Sequence, residues 1–220
     1  MKYKPLLIGE DCEAAHRFRQ SGISILDGPF NRIGITYQRL IKLLEEDFEN
    51  FCLKQNLKIE QKLIDYPNSY GNHYRVVEFI NNKIGTELWH NFTINQDFEE
   101  NYLNFSKEQS EKIKIFENTL KYDLRAIMLI HKKTDVRTLE DHNDIKNQYI
   151  NLNKIIKKIR NGKPYKIAAL GHGEIFHEKW NIENVNNYKI NTQKLWGKEN
   201  IIEDSWKEII NLCTLTKILL

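Results

Sequence analysis

Residues 125–133, RAIMLIHKK, and residues 165–171, YKIAALG, are two short apolar runs separated by a long polar-apolar stretch that ends at Arg160. Runs of this length suit buried strands, and the spacer is long enough for a helix, so the segment reads as a strand, a helix and a strand. Parallel strands need such a crossover, which makes this stretch the seed of a parallel sheet.

Working outward, the spacing predicts a further strand over 188–190, a loop holding Trp196 and a final helix from about Asp204 to Leu212. Towards the N-terminus, Leu6, Leu7 and Ile8 form another apolar run, which Gly9 breaks. Ala14, Ala15, His16, Phe18 and Arg19 then read as a helix ending at Gly22. Gly28-Pro29 marks a turn, with Pro29, Phe30 and Asn31 in a loop near the end of the first strand. From Thr36 as a cap, Tyr37, Leu40, Ile41, Leu44, Phe48, Phe51 and Cys52 recur at helical spacing. Residues 57–94 change character: Pro67, Gly71 and Gly85 punctuate short aromatic and branched runs, which predicts a β-rich insert of two or three short strands. A second helical block covers Ser106 to Tyr122, with Ser106 as its start signal. The expected fold is one α/β domain over residues 1–220, a mainly parallel sheet flanked by helices as a three-layer sandwich, carrying the insert at 57–94. Ligands of such sheets bind outside the carboxyl ends of the strands.

Composition narrows the function. A chain of 220 residues with 40% hydrophobic content can bury a sizeable core. Its formal charge of +3, spread evenly, gives no stripe for nucleic acid. Neither a membrane span nor a secretion signal is present in the sequence, so the cytoplasm is the expected compartment. Cys12, Cys52 and Cys213 are odd in number and widely spaced, against a disulfide framework and against a cysteine zinc site. Gly9 stands without the further glycines of a dinucleotide fingerprint, and no cofactor is expected.

Cys12 is the residue with the clearest chemical potential. It falls where a strand gives way to a helix, and the unpaired N–H groups of a first helical turn favour a thiolate over a thiol. Its bland alternative is a small apolar residue in that turn. A thiol nucleophile needs a base, and four histidines compete for the role. His16 lies four residues after Cys12 and would share its helix face. His90, in GTELWHNF, is followed by Asn91, an amide able to orient an imidazole. His131 closes MLIH at a predicted strand end, and His172 sits between Gly171 and Gly173, which would let backbone approach a ligand. His172, Glu174 and His177 fall within six residues, but their spacing is not that of the helical zinc motif, and no metal is expected.

The motifs LIGEDC (7–12), GPFN (28–31) and GTELWHNF (85–92), followed by the strand-helix-strand half and a region with Trp196, Asp204 and Trp206, carry a resemblance. Together they resemble a bacterial family of predicted papain-like cysteine peptidases, a domain of unknown function, over nearly the whole chain. That family's pattern of a strand, a Gly and a Cys, then Pro-Phe-Asp-Trp, then His-Asp-Phe, carries over to Gly9, Cys12, Pro29, Phe30, His90 and Phe92. Asn31 and Arg32 stand where the family has Asp and Trp, and Asn91 stands where it has Asp. The resemblance implies that Cys12 attacks a carbonyl, that His90 takes and returns the proton and that Asn91 orients His90. His16, Pro29, Phe30, Asn31, His131, His172 and Glu174 are then the candidate substrate contacts, and the partner is a peptide, acyl or glycan substrate. Two other classes stay open: a glycan-directed transferase of surface-polysaccharide assembly using His172 and Glu174, and a binding module without chemistry.

Overall fold

The computed structural model describes residues 2–9, 13–31, 34–35, 37–49, 51, 53–64, 74–81, 84–93, 97–133, 139–172, 174–190 and 204–213. Within them, side chains are described except at 13, 34, 56–64, 74–81, 84–93, 133, 139–143 and 174.

Four strands, β1 (Lys4–Leu7), β6 (Ile127–Lys133), β7 (Tyr165–Gly171) and β8 (Val185–Lys189), form a parallel sheet in the order β1-β6-β7-β8. Alternation along each strand divides its side chains between two layers of helix. Leu6, Ile8, Ile127, Leu129, Tyr165, Ile167, Ala169 and Val185 pack on one face, against α2 (Tyr37–Glu45), α3 (Phe98–Tyr122) and α4 (Leu139–Arg160). Leu7, Met128, Ile130, Ala168, Leu170 and Tyr188 pack on the other, against Ala14, Ala15 and Phe18 of α1 (Glu13–Gln20) and Trp206, Ile209 and Ile210 of α5 (Asp204–Leu212). The fold is a three-layer α/β sandwich. Among the described residues no helix is long and apolar enough to cross a membrane.

The β-rich insert is larger than its sequence suggested. β3 (Leu57–Ile64), β4 (Tyr74–Asn81) and β5 (Ile84–Thr93) are full-length antiparallel strands, and β2 (Gly34–Ile35) joins them, giving a second sheet in the order β2-β5-β4-β3. The polar side chains between the apolar ones hide that length from a search for short apolar runs.

Local chemistry explains the helix limits. α1 stops in a Schellman motif: Gly22 takes φ of +68°, its N–H donates to Arg19 O at 3.0 Å, and the Ile23 N–H donates to Phe18 O at 3.1 Å. α2 is shorter than its periodicity predicts. Asp47 and Phe48 adopt left-handed backbone, and the Phe48 N–H donates to Leu43 O at 3.0 Å. That turn delivers Phe48 and Phe51 into an aromatic cluster with Phe30 and Phe116, so burial of two rings overrides continued helix. α3 starts at Phe98, eight residues before the expected Ser106, because the Asp97 carboxylate accepts from the N–H groups of Glu99 (2.8 Å) and Glu100 (3.1 Å). β8 likewise begins at Val185, three residues earlier than expected.

The end opposite the strands' carboxyl termini is tied by one side chain. Arg160, the last residue of α4, is fully buried, and its guanidinium donates to five backbone carbonyls: Thr119 (3.2 Å), Leu120 (3.0 Å), Asp123 (2.9 Å), Arg125 (3.0 Å) and Pro164 (3.0 Å). It thereby satisfies the last turn of α3 and both segments that enter β6 and β7. Burial pushes its pKa down from the ordinary arginine value, with nearby Asp123 acting in the opposite direction.

Candidate active-site crevice

A parallel sheet opens a crevice where the connections leaving two adjacent strands go to opposite faces. β1 leads through residues 8–12 to α1 on one face, whereas β6 leads to α4 on the other. The crevice therefore lies at the carboxyl ends of β1 and β6, which pair in register from Lys4↔Ile127 to Leu7↔Ile130. Past the strand, the Ile8 N–H still donates to Ile130 O at 3.0 Å, and a Cβ built on Gly9 would stand 3.1 Å from the Lys132 backbone nitrogen. Glycine at position 9 thus lets the chain stay against β6 until it turns towards α1.

Cys12 lies outside the described residues; in sequence it immediately precedes Glu13, the first residue of α1. His16 is half-buried on α1. His131 is not at a solvent-facing strand end. It is fully buried on the α4 side, because β6 continues to Lys133, and its Nδ1 is hydrogen-bonded to the Tyr149 hydroxyl at 2.6 Å. Tyr37 stands edge-on to the same imidazole, ring centroids 6.5 Å apart, and donates its own hydroxyl to Gln148 O at 2.6 Å. Burial raises the Tyr37 pKa above the ordinary phenol value, keeping it a donor.

His172 is half-buried just after β7. The glycine before it does not make room for a ligand. A Cβ on Gly171 would lie 2.2 Å from the Phe176 ring, so that ring occupies the space, and Phe176 in turn packs on Trp180 at 5.2 Å. Glu174 opens a 3-10 turn over Glu174–Phe176; its side chain lies outside the described residues.

Pro29, Phe30 and Asn31 form a 3-10 turn in which all three are buried. Phe30 sits in the aromatic cluster with Phe116 at 5.3 Å, and the Asn31 amide donates to Leu26 O at 3.0 Å. In this structure the turn packs α3 rather than presenting side chains to solvent.

His90 and Asn91 lie in β5, and their side chains are outside the described residues. Their backbone setting is informative. Val77 pairs with Leu88 and Arg75 with Phe92, so Trp89, His90 and Asn91 stand opposite Val76 alone, a bulge in β5. Bulges re-aim side chains and recur beside active sites.

Lys132, Tyr149 and Tyr37 were not singled out from the sequence. Lys132, at 6% exposure, is a buried cation at the end of an apolar strand; the break from apolar to basic in MLIHKK was the available signal. Cys213 is buried against Met128, its thiol pushed up to about 12 by desolvation, and offers no nucleophile. Among the described residues no group of His, Cys, Asp and Glu could hold a metal ion.

The parallel sheet with helices on both faces defines an α/β sandwich whose topology opens a crevice at the carboxyl ends of β1 and β6. The family described as "Putative papain-like cysteine peptidase (DUF1796)" matches residues 5–166. The chain belongs to this family. The match takes in β1, α1, the insert and β6, and ends before His172 and Glu174. No curated protein and no solved structure matches the chain.

Proposed function

We propose that the protein is a thiol-dependent hydrolase or acyl-transfer enzyme acting on a peptide or acyl substrate in the cytoplasm, with Cys12 as nucleophile. The observation that carries the reading is the turn at the carboxyl end of β1, where the family match, the close approach at Gly9 and the start of α1 coincide. In this reading the Cys12 thiolate adds to a substrate carbonyl carbon, and backbone N–H groups around the turn hold the oxyanion. The imidazolium of His90 protonates the leaving group, giving a thioester. The same imidazole then deprotonates water, whose attack releases the acid and restores the thiol. Asn91 orients His90, as an amide does in other cysteine proteases. The bulge at Trp89–Asn91 supports assigning a special role to this part of β5.

The test is turnover of a peptide and thioester panel by wild type, Cys12→Ala and His90→Asn, with melting curves confirming folded protein. The expected result is loss of turnover in Cys12→Ala by about a thousandfold or more. His90→Asn should lose the ascending limb of the pH profile. An active Cys12→Ala protein would overturn the reading, and a folded wild type without turnover on the whole panel would do so in favour of glycan-directed chemistry or plain ligand binding.

A further inference from the structure

We infer that a cavity at the amino-terminal end of the sheet, opposite the strand-end crevice, binds a small organic phosphate; this is independent of the thiol reading above. The cavity holds about 350 Å³, a size suited to a small metabolite, and opens where the chain enters β7 and β8. Its walls include Lys157, Lys163 and Lys166 together with Tyr3, Pro164 and Tyr165, and among the described residues no carboxylate lines it. Three cations on one concavity equal the formal excess of +3 that the whole chain carries.

The backbone explains why they converge. After α4 ends at Arg160, Asn161 and Gly162 take φ of +44° and +81°, which turns the chain within two residues and places Lys163 and Pro164 at the start of β7. A Cβ built on Gly162 would meet nothing within 4 Å, so this turn borders open space. Alternation then sends the neighbouring Tyr165 and Lys166 to opposite faces of β7. Tyr165 joins the core on the α4 side, whereas Lys166, in register with Met128, lies on the side of α1 and α5. The cavity thus straddles the first residues of β7.

Compensating charge is sparse there. Lys157 has Glu183 at 3.1 Å, but the two side chains are 63% and 70% exposed, so water screens the pair. Lys163 and Lys166 make no ion pair among the described residues. Behind the wall, the buried Arg160 guanidinium adds positive potential, since its five hydrogen bonds all run to neutral carbonyls, Pro164 O among them at 3.0 Å. Ammonium groups gathered without a counter-charge repel one another, and an entering anion relieves that repulsion for all of them at once. A phosphate monoester carries up to about two negative charges near neutral pH and acceptor oxygens enough for several lysines. The Tyr165 hydroxyl is already donated to Asn153 Oδ1 at 2.7 Å, so Tyr165, like Pro164, contributes apolar surface. That surface fits a compact apolar or planar group on the ester.

The experiment is isothermal titration calorimetry at an ionic strength of about 20 mM, with phenyl phosphate and inorganic phosphate as probes. The proteins are wild type, Lys163→Gln, Lys166→Gln and, as a charge-matched control, Lys107→Gln on the exposed side of α3, each checked by its melting curve. Wild type should bind one phenyl phosphate per chain, and inorganic phosphate more weakly. Lys163→Gln and Lys166→Gln should each weaken phenyl phosphate about tenfold, whereas Lys107→Gln should change it by less than about twofold. Should one of the two cavity variants not fold, the other decides. No binding of phenyl phosphate up to about 10 mM, or equal weakening by the control, overturns the site. Vesicles of phosphatidic acid in phosphatidylcholine separate the sources of the phosphate. Binding to them without binding of phenyl phosphate overturns the soluble ligand in favour of a lipid headgroup.

Discussion

Arg160→Met tests whether one guanidinium holds the amino-terminal end of the sheet together. The substitution keeps an unbranched apolar stem of similar length and removes every donor. Of the five carbonyls it strands, those of Thr119 and Leu120 are reached by fully buried bonds, whereas those of Asp123, Arg125 and Pro164 lie in partly buried ones and can take water. An unsatisfied buried acceptor costs about 1–3 kcal/mol, so the two deep carbonyls account for about 2–6 kcal/mol. Methionine returns part of this, because the folded state no longer desolvates a charge. A net loss of about 3 kcal/mol is expected, which in a chain of this size lowers Tm by about 10 °C. Urea titration followed by far-ultraviolet circular dichroism measures it, with the midpoint shifted and the slope m unchanged. Arg160→Lys should fall between, since an ammonium has three donors and no fork to match five acceptors. A loss below about 1 kcal/mol for Arg160→Met would show that the guanidinium bonds only replace water and would refute the reasoning.

Two other outcomes are expected from particular contacts. Gly171→Ala places a methyl 2.2 Å from the Phe176 ring, so it should destabilise by about 1–3 kcal/mol, and Phe176→Leu in the same chain should relieve much of that; additive losses in the double-mutant cycle would disprove the contact. The Arg125 guanidinium, the Arg125 backbone N–H and Lys4 hold the Asp123 carboxyl well below the usual carboxylate range. A folded-state pKa that is depressed contributes stability above the unfolded value of about 4, lost as pH falls below it. Asp123→Asn should therefore cost about 1 kcal/mol at neutral pH, a figure discounted for the exposure of Arg125, and the gap from wild type should close in acid. A gap independent of pH would contradict the assignment.

The parallel half of the fold was legible because its signals are local. MLI and IAAL are apolar on both sides of the strand, as a buried parallel strand must be, and Gly22 ends α1 in a left-handed conformation that costs glycine little and other residues more. The end of α2 was not legible, because Asp47 and Phe48 pay for left-handed backbone with ring burial against Phe116, a residue far away in sequence. The length of the insert strands was hidden by polar side chains, and the bulge holding His90 and Asn91 exists only as an offset between two strand registers. His131 looked like a strand terminus because lysines follow it; the partner that buries it, Tyr149, comes from α4. Lys132 escaped notice for the same reason, since a lysine after an apolar run reads as solvent-facing until Gly9 is seen against its backbone.

The pairing of β1 with β6 spans roughly 120 residues, the longest loop that folding this sheet must close. During synthesis the N-terminal strand has no partner until β6 has left the ribosome. By then α1 and α2 have been made, while β7 and β8 are still to come. A crevice between two strands that far apart in sequence thus assembles late, after every strand of the second sheet has been made.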